Sequence, residues 1–210
     1  MAKKYISNKD ESVALFENAM MDKFTYVHPS VPVILYVPVV SYFLYQAVVN
    51  SVPVLTIVGL FAFGLLTWTF VEYVIHRYVF HYHPKSAAGK YLFHLMHGVH
   101  HDYPNDSRRL VMPPVVSIPL AFTFYGLFLP FFGGVYILGF FPGFVFGYIC
   151  YDMIHYATHH APMKSKIAQA VKHHHIKHHY QDDDLGFGVS SPLWDFVFGT
   201  LFNKKPGSHA

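Results

Sequence analysis

Histidines in short, regularly spaced groups are the residues of this sequence best suited to chemistry. Seventeen of the 210 residues are histidine, and the stretch VKHHHIKHHY alone contains five of them. Ten fall into groups spaced H-x4-H, H-x2-H-H, H-x3-H and H-x2-H-H: His76, His81; His97, His100, His101; His155, His159; His175, His178, His179. On an α-helix, positions i, i+3 and i+4 lie within about 100° of one another, so the last three groups each present their rings from one face.

Such groups predict metal binding. With Cys150 as its single cysteine, the sequence argues against an iron–sulfur cluster or a cysteine-based zinc site. All-imidazole coordination suits iron, zinc, copper or nickel. Ten ligands are too many for one ion, so we predict two ions with five histidines each. A redox-active pair of this kind could activate O2 and oxidise a C–H bond of a lipid.

The remaining spacings leave some assignments open. His76 and His81 would lie about 140° apart on a regular helix, so they either bind different ions or require a local bulge. Four histidines lack a patterned partner and are not expected to be ligands: His28, His83, His94 and His209. Three more stay undecided: His160, His173 and His174.

A shift of 78 positions relates the two halves of the pattern. It carries four histidines onto four others, namely His81, His97, His100 and His101 onto His159, His175, His178 and His179. His76 misses His155 by one position. The sequence leaves open whether this is an internal repeat or chance in a histidine-rich chain. In either case, each half supplies five similarly spaced histidines.

Four long apolar stretches must position these groups. Hydrophobic residues make up 53% of the chain and charged residues only 13%, which is too little polar sequence to coat four buried helices in water. The stretches are Val31–Val49, Val52–Ile75, Pro113–Phe132 and Val135–Ile154. Each is close to the roughly 20 residues that cross a bilayer as a helix. The sequence therefore predicts an all-α integral membrane protein with four transmembrane helices.

The short connections Asn50-Ser51 and Gly133-Gly134 predict two helical hairpins. All Lys and Arg residues then fall on one side, together with every histidine group, and the positive-inside rule makes that side cytoplasmic. We expect one domain over residues 1–210, with 1–30 as an N-terminal cytosolic or interfacial segment. Within it, Glu11–Met20 is either an interfacial helix or a polar tail. The net charge of +3 is too small to argue for nucleic acid.

Four blocks resemble the fatty acid 2-hydroxylases, a branch of the membrane fatty acid hydroxylase and sterol desaturase superfamily. They are HRYVFH, HGVHHDYPNDSRRLVMPP, YDMIHYATHH and HHIKHHYQDDDLGFGVSSPLWDFVFGT. The resemblance covers roughly residues 60 to 202 and implies a four-helix membrane enzyme with a cytosolic, histidine-rich helical cap. That cap would hold a dimetal centre, with the same ten histidines as ligands. Iron is the metal that the family implies, and zinc is able to replace it in purified protein.

The resemblance further implies O2-dependent hydroxylation at C2 of a fatty acyl chain, either free or within a sphingolipid such as ceramide. Many relatives carry a cytochrome b5-like domain with a His-Pro-Gly-Gly signature, which neither His28-Pro29 nor His83-Pro84 continues. A separate cytochrome b5-like or ferredoxin-type protein is therefore expected to supply electrons. It would dock on a basic rim formed by Lys85, Lys90, Lys164, Lys166 and Lys172. The expected membrane is the endoplasmic reticulum in a eukaryote or the inner membrane in a bacterium.

Other functions stay open. Sterol or carotenoid hydroxylation or desaturation is a related oxidation of the same superfamily. A histidine-rich metal transporter would favour ionisable groups near mid-membrane, and the spans have none there. A bis-histidine haem protein needs histidines facing each other within the bilayer, and none is placed for that. Tyr151 and Asp152 come just before His155. Either they orient a metal-binding histidine through its outer ring nitrogen, or they anchor the helix end at the membrane interface.

Overall fold

The computed structural model describes residues 5–202, which are helical with irregular connections. The α-helices are α1 (Ala19–Lys23), α2 (Ser30–Val49), α3 (Val54–Ile75), α4 (Ala87–Phe93), α5 (Val99–Asp102), α6 (Pro114–Phe132), α7 (Ile137–His160), α8 (Lys166–Tyr180) and α9 (Leu193–Phe198). Two π-helical segments, π1 (His76–Phe80) and π2 (His94–Gly98), continue α3 and α4 directly. The all-helical prediction is confirmed in this part of the chain.

Four helices are long and apolar enough to cross a membrane, as predicted. They are Ser30–Val49, Val54–Phe80, Pro114–Phe132 and Ile137–His160. The second and fourth extend beyond the apolar stretches read from the sequence, through π1 and through the last turns of α7. His76, directly after α3, and His155 and His159, in the last turns of α7, therefore lie on helix that continues two of the spans.

Helix α7 lies at the centre of the four. It packs most extensively on α3 and next on α2, and most of its length is buried, whereas α6 is largely exposed. Three glycines four residues apart, Gly139, Gly143 and Gly147, face α3 and let the two backbones approach closely. A Cβ atom at Gly143 would lie 2.1 Å from the carbonyl oxygen of Phe61. The main packing unit is thus α3 with α7, two helices that are distant in sequence.

Of the two alternatives for Glu11–Met20, the structure does not contain the interfacial helix over most of the segment. Residues 11–18 are not helical, and α1 begins only at Ala19, where the Asn18 side chain caps it. Residues before this segment bond to the end of α5 and to the loop after it: the Ile6 N–H donates to the carbonyl of Asp102, the last residue of α5, over 2.8 Å. The Ser107 N–H donates to Asp10 over 3.0 Å. These bonds hold residues 6–10 against the end of α5 and the loop between α5 and α6.

Candidate metal centre

The ten histidines selected by spacing converge into two groups of five. The first group is His76, His81, His97, His101 and His178, and the second group is His100, His155, His159, His175 and His179. Within each group, one ring nitrogen from every residue lies within 4.8 Å of the others. Among the described residues, neither group includes a cysteine or a carboxylate. The arrangement offers two all-imidazole sites with five donors each.

The π1 segment brings His76 and His81 into the same group. The N–H of His81 donates to the carbonyl of His76 over 3.1 Å, the i→i+5 bond that defines a π-turn. Of the two alternatives for this pair, a local bulge is the one that the structure contains. The bulge also accounts for the one-residue offset from the pair His155 and His159, which are four apart on regular helix α7.

One histidine of each H-x2-H-H group crosses to the other group. His97 and His101 belong to the first group, but the Nε2 atom of His100 lies 2.8 Å from that of His155 in the second. On α8, His175 and His179 belong to the second group, and His178 joins the first. Each half of the chain therefore supplies four members of one group and one member of the other.

The two groups are in direct contact. The rings of His101 and His179, one from each group, are stacked with centroids 4.3 Å apart. Two hydrogen bonds made by α8 and its cap support this arrangement. Ser165 caps α8 by accepting from the Ala168 N–H, and the Lys172 ammonium donates to the Ala161 carbonyl, which ties α8 to the end of α7.

Burial keeps the imidazoles neutral. Loss of hydration lowers the pKa of His81 and that of His178 to about 3, and neighbouring imidazoles add to the effect. The same causes lower the pKa values of other members well below the ordinary value: His97, His100, His101, His175 and His179. A neutral ring has a free nitrogen lone pair, which is the form that a metal ion requires.

The spacing of the nitrogens fits metal coordination. Nε2 atoms of His76 and His97 lie 3.0 Å apart, and those of His159 and His175 are also 3.0 Å apart. Imidazole nitrogens bind zinc at about 2.0–2.1 Å, so two ligands at a right angle are separated by about 3 Å. The imidazole donors and the distances between their nitrogens therefore suit a first-row metal ion in each group.

The other histidines lie outside both groups. His174 Nε2 contacts Asp195 Oδ2 at 3.0 Å, and His94 lies 3.5 Å from Asp102. His83 Nδ1 is 2.8 Å from the carbonyl of His81 and His28 Nδ1 is 2.8 Å from the Ser30 hydroxyl. His160 stacks on Tyr156, and His173 is exposed. His209 lies outside the described residues.

Tyr151 and Asp152 differ in how they approach the second group. The ring of Tyr151 stacks on the ring of His155, with centroids 5.8 Å apart. Asp152 is 1% exposed, yet neither of its carboxylate oxygens hydrogen-bonds to a histidine of the group. The tyrosine ring therefore stacks on a candidate ligand, whereas the carboxylate makes no hydrogen bond to one.

A short segment near the C-terminus, LGFGVS at 185–190, contacts the first group and was not singled out as a site from the sequence. The Nδ1–H of His76 donates to the Phe187 carbonyl, and that of His178 to the Leu185 carbonyl. Two buried carboxylates, Glu72 and Asp195, hold the segment. An acid at the end of an apolar span, one turn before His76, was the available signal for Glu72.

A cavity of about 330 Å³ borders both groups. His81 and His101 of the first group and His179 of the second line it, together with polar side chains that include Asp102 and Asp183. The cavity therefore has room for small molecules beside both groups.

A family model described as fatty acid hydroxylase matches residues 61–200, the region that contains all ten histidines. The chain belongs to the fatty acid hydroxylase family. With its four apolar helices, this family member is a membrane protein.

Curated relatives of this hydroxylase-family chain agree with that assignment. It is 40% identical over 176 residues to a dihydroceramide fatty acyl 2-hydroxylase of Arabidopsis thaliana, covering 84% of this chain and 74% of that protein. It is 46% identical over 155 residues to the fatty acid 2-hydroxylase of Mus musculus, covering 70% of this chain and 41% of that protein. The chain thus spans less than half the length of the mouse relative.

A solved structure described as full-length scs7p, in which only the hydroxylase domain is visible, has the same fold. Its TM-score is 0.84 at 36% identity, and the match covers 90% of this chain and 71% of that chain. The resemblance read from the sequence motifs is confirmed.

Proposed function

We propose that this chain is a membrane-bound, O2-dependent hydroxylase that places a hydroxyl group on C2 of a fatty acyl chain, free or as the N-acyl chain of a ceramide. The family membership and the names of the plant and mouse relatives support this reaction. The observation that carries it is the pair of touching five-histidine groups on the ends of membrane helices.

We propose that the ten histidines hold two metal ions, which are iron in the active enzyme. Ligand chemistry supports this assignment, because all-imidazole sites suit redox-active first-row metals. When bound, the two ions would supply the redox chemistry that lets O2 oxidise a C–H bond. The overall reaction consumes O2, two electrons and two protons. One oxygen atom enters the C–H bond as a hydroxyl, and the other leaves as water.

The chain's own residues prepare the site for this reaction. Burial keeps ligands such as His81 and His178 neutral, and the helix ends of α3 and α7 hold their groups at fixed positions. C2 is the carbon beside the acyl carbonyl, so it lies near the headgroup level of a membrane lipid. Histidines at the ends of the spans match that depth, whereas a mid-chain carbon would lie deeper.

The charge distribution supports a proposal for the sidedness of the protein and for its electron donor. We propose two helical hairpins in one domain, with the histidine-bearing elements as a cap on the cytoplasmic side, because Lys and Arg concentrate with them. An electron donor, cytochrome b5-like or ferredoxin-type, is proposed to dock there. Of the five rim lysines, four are exposed: Lys85, Lys90, Lys164 and Lys166. Lys172 is engaged with the Ala161 carbonyl and is the weakest member of that surface.

Lipid analysis of expressing cells tests the proposed reaction. Cells that produce the chain are expected to gain acyl chains heavier by one oxygen atom, and fragmentation should place that oxygen at C2. Cells producing the His101→Ala variant serve as the control and should lack the product. Oxygen found on sterols or carotenoids instead, or no difference from the control, would refute the proposal.

A further inference from the structure

We propose that Asp195 and Glu72 are positioning residues for the first histidine group. They hold the segment 185–190 so that its carbonyls orient His76 and His178, and they thereby set the metal affinity of that group. The inference rests on the proposed two-metal site, but it concerns metal binding and does not depend on the substrate.

Two backbone carbonyls of the segment accept hydrogen bonds from the outer nitrogens of two candidate ligands. Nδ1 of His76 lies 2.5 Å from the Phe187 carbonyl oxygen, and Nδ1 of His178 lies 2.8 Å from that of Leu185. A proton held on Nδ1 leaves the Nε2 lone pair directed into the group. Such partners fix the tautomer and the ring orientation of metal-binding histidines.

Asp195 holds the segment through its peptide N–H groups. It is 0% exposed, and its two oxygens accept from the N–H groups of Phe187 and Gly188, each over 2.8 Å. Oδ1 also accepts from the Thr200 hydroxyl over 2.7 Å, and Oδ2 lies 3.0 Å from His174 Nε2. The carboxylate is therefore surrounded by four donors, two of which belong to the segment.

Glu72 holds the C-terminal end of the segment. Its Oε1 accepts from the N–H groups of Val189 and Ser190, each over 2.8 Å, and its Oε2 accepts from the Ser190 hydroxyl. Glu72 lies one helical turn before His76, so the carboxylate and the candidate ligand are fixed on the same rigid helix. The two carboxylates together restrain residues 187–190 relative to His76.

Two glycines allow the segment to take this shape. Gly186 has φ of +72°, a conformation that L side chains rarely adopt. A Cβ atom at Gly188 would lie 2.1 Å from the Ser191 carbonyl and 2.8 Å from Asp195 Oδ2. The close approach of the peptides to the carboxylate thus depends on both glycines.

Among the described residues, hydrogen bonds from the carbonyls of 185–190 to candidate ligands reach the first group only. His155 and His100 hold the positions in the second group that correspond to His76 and His178, and they make no hydrogen bond to residues 185–190 in the described part of the chain. A general contribution to folding would affect both metal sites. A positioning role predicts selective loss from the first.

Zinc titration of the full-length, detergent-purified protein against a competing chelator tests this selectivity. Asp195→Asn puts an NH2 group against the N–H of either Phe187 or Gly188, whichever way the amide is turned. We expect zinc affinity at one of the two sites to fall about 10–100-fold, the usual effect of losing such a partner. The exposed Asp184→Asn variant makes the same chemical change nearby and should bind both zinc ions as the parent does.

Double variants identify the weakened site. His81→Ala removes a first-group ligand and His159→Ala a second-group ligand, so each alone should leave one tight zinc ion. Adding Asp195→Asn to His81→Ala should leave that tight ion unchanged. Adding it to His159→Ala should weaken the one that remains. Equal weakening in the two backgrounds, or no weakening in the single variant, would overturn the proposal.

Glu72 provides a second route if Asp195→Asn is not recovered as folded protein. Glu72→Gln keeps an acceptor oxygen for both peptides and an amide that can donate to the Ser190 hydroxyl, whereas Glu72→Ala removes every bond. We expect Glu72→Ala to weaken the first site by a clearly larger factor than Glu72→Gln. Equal zinc affinities in this pair would also overturn the proposal.

Discussion

His100 and His155 lie with their Nε2 atoms 2.8 Å apart, although 55 positions separate them in the sequence. His100 lies with the histidines of α7 and α8 and not with His97 and His101, its neighbours in the H-x2-H-H group. In the same way, His178 of α8 lies with the first group, and its Nε2 is 3.0 Å from that of His81. Each group is therefore completed only when the two halves of the chain come together, which would couple binding of the proposed metal ions to the tertiary fold.

This grouping predicts which ion each histidine holds. His178→Ala is expected to reduce the metal content from two ions to one, because it removes a ligand of the first group. In combination with His81→Ala one ion should remain, and in combination with His159→Ala none should remain. Elemental analysis of monodisperse protein checks this, with the exposed His173→Ala as control. Retention of one ion in the His178→Ala and His159→Ala double variant would show that each half binds its own ion.

Acidification should destabilise the metal-free protein. The pKa of His81 and that of His178 are lowered to about 3 in the fold, against about 6.5 in an unfolded chain. Between these values the unfolded chain binds more protons than the folded one, so stability is full above pH of about 6.5 and falls as the pH decreases towards 3. The thermal midpoint of chelator-treated protein should be lower at pH 5 than at pH 8. An equal midpoint would mean that these rings are not buried as neutral groups.

The contact between α3 and α7 should depend on Gly143. Gly143→Ala places a methyl group 2.1 Å from the Phe61 carbonyl, and overpacking of this kind costs about 1–3 kcal/mol. Gly59 lies in α3, the helix that contains Phe61, but a Cβ atom there meets nothing within 4 Å, so Gly59→Ala is the matched control. Thermal unfolding in detergent should separate the two variants. A similar midpoint for both would indicate that the helices do not approach as closely as the structure places them.

Tyr151 should affect the second group more than Asp152 does. Tyr151→Leu removes the ring that stacks on His155 and is expected to weaken zinc binding at one site several-fold, whereas Tyr151→Phe keeps the ring and should not. Asp152→Asn should retain both ions, because the carboxylate makes no hydrogen bond to a candidate ligand. Zinc titration of the purified variants against a competing chelator is the measurement. Weaker binding in Asp152→Asn than in Tyr151→Leu would restore the carboxylate as the orienting group.

Several features of this protein follow from local patterns and could be predicted from the sequence. The four spans are set by runs of apolar residues, and the structure places helices over all four. Membership of the hydroxylase family is carried by motif blocks that are contiguous in sequence. The ten histidines were recognised by helical spacing, which depends only on residues within a few positions of one another. For Glu11–Met20 the sequence left an interfacial helix and a polar tail open, and the structure has no helix over residues 11–18, where the Ser12 hydroxyl bonds to the distant Asp106.

The division of the ten histidines into two groups was decided by the tertiary structure. Spacing places His97, His100 and His101 on one helical face, but it does not say which other helix each ring meets. That choice depends on how α5 and α8 lie across the ends of α3 and α7, and on the close approach that Gly143 permits. The hydrogen bond from the Val189 N–H to Glu72, which helps to hold residues 185–190, likewise joins positions 117 apart in the sequence. Sequence periodicity reports which side of a helix a residue occupies, whereas the partner of that side is set by long-range packing.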